Sequence, residues 1–403
     1  MSLAQRVVRI QLPTKPLFVD LTVKAKNLYN CANYLMRQKY FASNKALSYH
    51  ALWKNLKDQK NYLELQNLAG SHAPQQLLRQ LRANWNSYSR AVKDWKVHPE
   101  KYFAKPKIPK YKKKNEKFNI LWSNQQVRIR NGKVLVPERL HEKGFPSIPI
   151  DKLPVTEQNI TIVRLVPFHD RFVLELAYKI ELPNKDVAST LILGIDLGVN
   201  NLIASSDGLL IKGGVVKSIN QYYNKEKAKT QQQLARQNLD SCNHLLHLQR
   251  RRYNALLDYF HKVCKQLIEH CVEKNIGAIA IGRNVNWKQN INLGRRTNQE
   301  FVFIPFYKLC AMITYKAEQR GITVQFTSEE YTSQKCSCCG HTSRKNRVYR
   351  GLFICKCCRL VINADVNAAR NIAQKVLSES QEIGDSGSVV LPVKETLRIF
   401  VYK

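Results

Sequence analysis

The sequence is poor in acidic residues and has no long apolar run. It contains 30 Asp and Glu against 65 Lys and Arg, which gives a formal net charge of +35. Such a positive field attracts polyanions, and nucleic acid is the partner that it predicts. No apolar run approaches the roughly 20 residues of a membrane span, so an anionic membrane is the less favoured polyanion. The segment Met1–Arg6 lacks the apolar core of a signal peptide. We therefore expect a cytoplasmic, nucleoid-associated protein that binds no membrane.

Internal repeats and low-complexity tracts are also absent, and disulfide bonds are not expected. The chain has 403 residues, enough for about two to four domains with a sizeable core. In a reducing compartment its 11 cysteines are more consistent with free thiols or metal ligands than with disulfides.

The first half of the chain alternates between strand and helix patterns. Residues 5–12 partly alternate apolar with polar side chains and predict a strand, whereas residues 17–97 show helical spacing and predict a helical insertion. Residues 117–183 return to short strands, among them a hairpin with the turn Asn131-Gly132. The polar segment 184–190 lies between two strand patterns and is the predicted domain boundary.

A basic segment at residues 101–114 interleaves cations with aromatic residues and prolines. Extended backbone, phosphate pairing and base stacking all suit these residue types, but a solvated basic linker suits the same composition. The nucleic-acid contacts predicted here are Lys105, Lys107, Lys110, Tyr111, Lys112, Lys113 and Lys114.

The second half predicts an alternation of strands and helices. The elements are three strands in 191–216, a helical stretch at 217–275, a buried strand at 278–282, a basic loop at 283–300, a helix at about 304–320 and a strand at 323–327. This order is that of a ribonuclease-H-like sheet. Arg250, Arg251 and Arg252 lie on the polar side of the helical stretch, where we expect a duplex-contacting surface or a solvated helix face.

Asp196 lies in a near-continuous apolar run at 191–204. A carboxylate there costs several kcal/mol if it is unpaired, so something is expected to compensate its charge. One interpretation is an Asp that caps a strand end or forms an Asx turn. The other is a metal-ligating carboxylate on the first strand of a ribonuclease-H-like nuclease core.

Two cysteine pairs in residues 336–358 have the spacing of a zinc ribbon, with 15 residues between the two C-x-x-C pairs. Tetrahedral Zn–S coordination requires two such pairs face to face, whereas a redox C-x-x-C has no need of a second pair. Cys338 and Cys357 are extra cysteines that could shift the ligand register, but only one choice gives two x-x spacings. The predicted zinc ligands are Cys336, Cys339, Cys355 and Cys358.

A helical pattern opens near Asp365, directly after the ribbon, and an acidic residue at a helix N-terminus is ordinarily a cap. Three motifs, however, resemble the RuvC-type nuclease half of the TnpB family, the transposon-encoded RNA-guided DNA nucleases related to type V CRISPR effectors. They are Gly194-Ile195-Asp196-Leu197-Gly198-Val199, Tyr331-Thr332-Ser333-Gln334-Lys335-Cys336-Ser337-Cys338-Cys339-Gly340 and Asp365-Val366-Asn367-Ala368-Ala369-Arg370-Asn371-Ile372. This motif resemblance covers about residues 190–377. The first half resembles the family in architecture and in the basic segment near 105–114.

The resemblance implies an α+β multidomain fold. A β-barrel-like wedge domain with an inserted helical recognition lobe would precede a RuvC-like, ribonuclease-H-like α/β nuclease domain with an inserted four-cysteine zinc ribbon. The implied boundaries are wedge strands at 1–16, the recognition lobe at 17–100, the rest of the wedge at 101–189, the nuclease at 190–333, the ribbon at 334–360, the final nuclease helix at 361–380 and a C-terminal tail at 381–403.

One departure from the family concerns a metal-binding carboxylate. The family usually has a Glu just after the strand that here ends at Ile281, where this chain has Gly282-Arg283-Asn284. Residues 282–289, with Asn298, Gln299 and Phe301 downstream, resemble a subgroup that lacks this Glu and in which a Glu before the Tyr-Thr-Ser motif takes over. Neighbouring strands lie about 4.8 Å apart, a shift that a Glu side chain spans. Glu329 is our prediction and Glu330 the alternative, since strand alternation lets only one face the site. A pair of exposed strand-end carboxylates is the remaining interpretation.

The resemblance implies a Mg²⁺-dependent, RNA-guided DNA endonuclease in which Asp196, Glu329 and Asp365 hold two metal ions. Implied cofactors are Mg²⁺, for which Mn²⁺ would substitute, structural Zn²⁺ and a guide RNA from the mobile element. Implied partners are double-stranded target DNA beside a short target-adjacent motif and an element-encoded transposase as genetic neighbour. Alternatives are a nuclease-dead RNA-guided DNA-binding protein or repressor and a compact type V CRISPR effector. A strand-transferring transposase is less favoured, because nothing supplies a nucleophilic Tyr in a His-rich metal context.

Overall fold

The computed structural model describes residues 3–151, 153–183, 189–283, 295–349, 351–381 and 388–389. The chain divides into two compact units, an N-terminal unit at Leu3–Ile180 and a C-terminal unit from Glu181 onward. Most of the predicted boundary at 184–190, much of the predicted loop at 283–300 and nearly all of the tail at 381–403 lie outside the described residues. None of the helices in the described ranges combines the length and apolar character needed to cross a bilayer.

The N-terminal unit combines a group of helices with two small sheets. Its elements are β1 (Leu3–Leu12), α1 (Pro16–Ser43), α2 (Tyr49–Leu56), α3 (Lys60–Ala69), α4 (His72–Val97), β2 (Ile120–Ser123), β3 (Arg128–Arg130), β4 (Lys133–Leu135), α5 (Glu138–Glu142), β5 (Ile148–Pro149), β6 (Ile160–Phe168) and β7 (Arg171–Glu181). The sheets have the strand orders β1-β7-β6-β2 and β3-β4-β5. The strand predicted at 5–12 and the helices predicted at 17–97 are confirmed.

Local signals explain where these elements begin and end. Pro16 opens α1, where its fixed φ suits the first turn, and Asn44 ends the helix in the left-handed conformation with φ 52°. Asn131 and Gly132 have φ of 49° and 65° and connect β3 to β4. This is the conformation that the Asn-Gly pair predicts for a two-residue hairpin, so the predicted turn is confirmed.

The C-terminal unit is built on a mixed sheet with helices. Its elements are β8 (Leu191–Asp196), β9 (Asn201–Ser205), β10 (Leu210–Lys212), α6 (Gly214–Arg236), α7 (Asn243–Glu273), β11 (Ala278–Gly282), α8 (Arg295–Phe303), α9 (Phe306–Glu318), β12 (Thr323–Thr327), β13 (Arg347–Tyr349), β14 (Leu352–Ile354), β15 (Val361–Asn363), α10 (Ala364–Gln381) and β16 (Ser388–Val389). The main sheet has the order β10-β9-β8-β11-β12, with β16 paired to β8. A smaller sheet, β13-β14-β15, carries part of the ribbon.

The predicted order of three strands, helix, strand, helix and strand is confirmed, with two corrections. The helical stretch predicted at 217–275 is two helices, because Asn238 takes a left-handed φ of 53° between α6 and α7. The loop predicted at 283–300 is wrong from Arg295 onward, where α8 begins. Phe301 is the partly buried side chain that α8 adds to the core, so the helix shows little apolar periodicity in the sequence.

Close packing of α10 against β8 depends on Gly194. A methyl group at this position would lie 2.0 Å from the carbonyl oxygen of Ala369, a distance that no side chain tolerates. Glycine therefore lets the helix backbone approach the strand directly. This approach brings the first turn of α10 beside the end of β8, where Asp196 lies.

Candidate active site

Three parallel strands end at the same edge of the main sheet. β11 pairs with β8 through Ile281 and Ile195, and with β12 through Gly282 and Thr327, and both pairings are parallel. Asp196 is the last residue of β8. Glu329 follows the last residue of β12 by two positions. The register thus carries two of the predicted carboxylates to one edge.

Asp365 joins this edge from the first turn of α10, and its side chain does not cap the helix. The cap is Asn363, whose Oδ1 accepts from the backbone N–H of Asp365 at 2.9 Å and of Val366 at 3.3 Å. Asp365 Oδ2 accepts from Asn201 Nδ2 at 2.9 Å, and Oδ1 accepts from Arg347 Nη2 at 3.3 Å. The capping interpretation of Asp365 is therefore wrong.

The charges of Asp365 and Glu329 act on Asp196, and we call these three acidic residues the carboxylate cluster. Burial raises the pKa of Asp196 well above its usual value, the charges of Asp365 and Glu329 raise it further, and Arg347 lowers it. Burial raises the pKa of Glu329 to about 7. Carboxylate oxygens are the ligands that Mg²⁺ and Mn²⁺ prefer, and a divalent cation would replace this repulsion with attraction. The donor set fits such an ion.

Gly282 explains how Glu329 reaches this position. A methyl group at residue 282 would lie 2.7 Å from Glu329 Cγ and 2.5 Å from Ile372 Cδ1. The Glu329 side chain therefore crosses the space that a side chain at 282 would occupy. Glu330 is exposed to solvent, so the structure brings Glu329 rather than Glu330 to Asp196.

The four predicted zinc ligands Cys336, Cys339, Cys355 and Cys358, which we call the thiolate cluster, converge in the ribbon. Their Sγ atoms all lie within 4.8 Å of one another. The main chain around the two pairs folds alike, since Gly340 N–H donates to Cys336 O and Arg359 N–H donates to Cys355 O, each at 3.0 Å. The backbone N–H of His341 lowers the pKa of the Cys339 thiol to about 6, which favours the thiolate that binds metal. Cys338 and Cys357 are exposed and stay outside the cluster.

The basic segment predicted to bind nucleic acid is held against α1 through its main chain. Asn30 accepts from Lys112 N–H at 2.8 Å and donates to Lys112 O at 2.9 Å. Asn33 Nδ2 donates to Pro109 O at 3.0 Å, and Lys26 Nζ donates to Lys114 O at 2.8 Å. These contacts leave most of the side chains exposed, namely Lys105, Lys107, Lys110, Tyr111, Lys113 and Lys114. Lys112 is the exception, because its ammonium packs over two aromatic rings.

Two of the three consecutive arginines on α7, Arg250 and Arg252, are buried or partly buried. The exposed surface predicted for these residues is therefore wrong at both positions. Arg250 is buried and contacts His247. Arg252 is partly buried between the rings of Tyr223 and Phe303 and donates to Asn220 Oδ1. The polar periodicity of the sequence did not reveal that α6 and α8 cover this part of α7. Arg251 is exposed, and its contact with nucleic acid stays a prediction.

Some residues of the carboxylate site were missed by sequence reasoning. Arg347 belongs to ribbon strand β13 and reaches Asp365, although nothing in the sequence links that strand to the sheet edge. Asn201 is the first residue of β9; its amide donates to Asp365 while Lys212 Nζ donates to its Oδ1 at 3.1 Å. Asn363 could have been found as the preferred cap residue directly before the predicted helix.

Two protein-family models match the chain. The model OrfB_IS605, described as a probable transposase, matches residues 175–288, and the Cas12f1-like TNB domain matches residues 306–372. The solved structure of the mini-RNA-guided endonuclease CRISPR-Cas phi3 aligns with 92% of this chain and 92% of its own at 12% identity, with a TM-score of 0.46.

Two curated relatives cover larger parts of the chain. "Putative RNA-guided DNA endonuclease InsQ" from Escherichia coli strain K12 is 26% identical over 366 residues, which are 86% of this chain and 85% of the relative. "TnpB-like protein MJ0751" from Methanocaldococcus jannaschii is 29% identical over 206 residues, which are 48% of this chain and 70% of the relative. The subgroup with a relocated glutamate stays a prediction. These matches confirm the resemblance to the TnpB family that the motifs predicted.

Proposed function

We propose that the chain is a transposon-encoded, Mg²⁺-dependent endonuclease that a guide RNA directs to complementary DNA beside a short target-adjacent motif. The carboxylate cluster carries this proposal, because three acidic residues from β8, the end of β12 and α10 meet at one edge of the sheet. The relation to InsQ, which is named for RNA-guided DNA cleavage, supports the choice of substrate. The C-terminal unit is then the RuvC-like nuclease, and the N-terminal unit holds the wedge and recognition lobe.

In this proposal Asp196, Glu329 and Asp365 would hold the Mg²⁺ ions. Mg²⁺ held there would supply Lewis-acid chemistry, a hydroxide nucleophile from water and stabilisation of the leaving 3′ oxygen. The chain's own residues orient the ligands: Asn201 holds Asp365, and Thr332 holds the main chain at Glu329 through hydrogen bonds from its N–H and Oγ1 to Glu329 O. Arg347 neutralises part of the negative charge beside Asp365.

Zinc in the thiolate cluster has a structural role in this proposal. Closed four-thiolate sites supply folding energy and leave no open coordination position for substrate. The exposed lysines of the basic segment neutralise phosphates of the guide RNA, while base pairing reads the target sequence. An element-encoded transposase as genetic neighbour and a cytoplasmic, nucleoid-associated location belong to the same proposal.

The experiment is a cleavage assay with the chain expressed together with RNA transcribed from the end of its own element. Bound RNA is sequenced, and a plasmid with the matching target and a randomised flank is incubated with the complex in Mg²⁺ or Mn²⁺. Wild type should cleave, whereas Asp196→Ala and Asp365→Ala should bind RNA and target equally well without cutting. Target binding without cleavage by wild type in either metal would replace the nuclease with an RNA-guided binding protein. A preparation without bound RNA would contradict RNA guidance.

A further inference from the structure

One short stretch of main chain joins the two ligand clusters. Residues 328–337, which we call the bridging segment, contain Glu329 near one end and Cys336 near the other. Both Thr332 N–H and Thr332 Oγ1 donate to Glu329 O, at 3.2 and 2.8 Å. A displacement of Cys336 therefore acts on a segment whose other end carries Glu329, a member of the carboxylate cluster.

Helix α10 holds this segment through side-chain amides on one face. Asn367 and Asn371 lie four residues apart and are 0% and 5% exposed. Asn367 donates to Lys335 O at 2.8 Å and accepts from Ser337 N–H at 3.0 Å. Asn371 Nδ2 donates to Thr332 O at 2.8 Å and to Lys335 O at 2.7 Å.

Two further side chains of α10 extend this contact at both ends of the bridging segment. Gln374 Nε2 donates to Ser337 O at 2.9 Å, beside Cys336. Lys375 Nζ donates to Ser328 O at 3.3 Å, beside Glu329. The helix that contributes Asp365 in its first turn thus holds Lys335 and Ser337, on either side of Cys336, and Ser328, directly before Glu329.

We propose that Asn367 and Asn371 are positioning residues that couple occupancy of the thiolate cluster to metal binding at the carboxylate cluster. Their hydrogen bonds go to main-chain atoms of residues 332, 335 and 337 and set the distance between α10, which carries Asp365, and the segment that carries Glu329. The inference rests on the proposed function, in which these carboxylates hold the catalytic metals. The ribbon then sets the geometry of the nuclease site as well as its own fold.

The chemistry of the two amides decides which substitutions are informative. Asn371 uses only its amide donors here, so the isosteric Asn371→Asp keeps the volume and replaces Nδ2, the donor of both hydrogen bonds, with one oxygen that faces two carbonyl oxygens. Asn367→Asp keeps the acceptor for Ser337 N–H and loses the donor to Lys335 O. Arg370→Gln is the matched control, because Arg370 Nε donates from the same helix to Ser206 O, a main-chain carbonyl outside the ribbon.

The first experiment measures cleavage and zinc in the complete RNA-bound protein. Asn371→Asp should retain one zinc per chain and normal target binding. Its single-turnover cleavage should fall by about tenfold to a hundredfold, and half-maximal cleavage should need more Mg²⁺. Arg370→Gln should show no shift in Mg²⁺ requirement. Zinc loss or weakened target binding in proportion to the lost cleavage would reduce the role of Asn371 to folding and overturn the proposal.

The second experiment does not depend on cleavage. Mn²⁺ binding is measured by calorimetry without target DNA, before and after zinc is removed by a chelator, and Asp196→Asn serves as the control that lacks one carboxylate ligand. Zinc removal should weaken Mn²⁺ binding by about tenfold or more in wild type and by much less in the Asn367→Asp/Asn371→Asp double variant. Equal losses in both proteins would overturn the coupling. A wild type that binds Mn²⁺ but never cleaves would contradict the proposed function alone.

Discussion

The carboxylate cluster and the thiolate cluster both gather metal-binding side chains, but different features of the chain bring those side chains together. Each brings together anionic side chains whose mutual repulsion a bound metal ion would offset. The thiolates come from residues 336–358 and meet through two short turns of similar shape. The carboxylates come from residues 196–365 and meet only because parallel strands and a close-packed helix place them at one edge. Spacing in the sequence defines the first cluster, whereas strand register defines the second.

The largest expected effect tests which acidic residues belong to the second cluster. Glu329→Gln should lower cleavage by more than about a hundredfold, because it removes a charge from the metal ligands while keeping the side-chain volume. Glu330→Gln, at the exposed neighbouring position, is the matched control and should cleave like wild type. Single-turnover cleavage with saturating guide RNA measures both. Activity lost in the Glu330 variant and kept in the Glu329 variant would move the role by one residue.

The next effect concerns the cluster defined by spacing. Cys358→Ser should lose zinc and lower the thermal stability of the ribbon, because metal–thiolate bonds supply its folding energy. Cys357→Ser changes an exposed cysteine one position away and should retain zinc. Metal analysis and thermal unfolding of the two purified variants decide the matter. Equal zinc content in both would contradict the ligand set.

A smaller effect tests the space through which Glu329 reaches the site. Gly282→Ala should lower cleavage about tenfold and the free energy of unfolding by about 1–3 kcal/mol, because the new methyl group would meet Glu329 Cγ and Ile372 Cδ1. Gly214→Ala is the control, since a methyl group there meets no atom of the described structure within 4 Å. Unchanged cleavage in Gly282→Ala would mean that Glu329 does not need this path.

The smallest effect is expected outside both clusters, in the N-terminal unit. Replacing Lys110, Lys113 and Lys114 with Gln should leave cleavage at saturating RNA unchanged. The slope of log affinity for guide RNA against log salt concentration should decrease in magnitude by about 0.7–0.9 for each phosphate that the variant no longer neutralises. Lys112→Gln should instead lower stability, because this ammonium covers the rings of Tyr29 and Phe118. An unaltered salt dependence in the triple variant would make the segment a solvated linker.

Local chemistry made much of the fold predictable from the sequence. The Asn131-Gly132 turn, the two C-x-x-C pairs and the strands around Asp196 all depend on neighbours in the chain, and each forms as expected. The start of α10 was predicted near Asp365, but its cap was not assigned to Asn363.

Features that depend on distant neighbours could not be predicted in the same way. The burial of Arg250 follows from the helices that pack around α7, and helical periodicity carries no information about them. The path of Glu329 over Gly282 requires the register of β11 and β12. Arg347 reaches Asp365 only because the ribbon folds back onto the sheet edge.

The attachment of the basic segment to α1 has an evolutionary consequence. Asn30, Asn33 and Lys26 contact main-chain atoms of residues 109–114, and those contacts are the same whatever side chain the position carries. Exposed lysines such as Lys113 and Lys114 can therefore be exchanged without a change in the course of the backbone. Selection can adjust the strength of polyanion binding one charge at a time, while the folded frame beneath it stays constant.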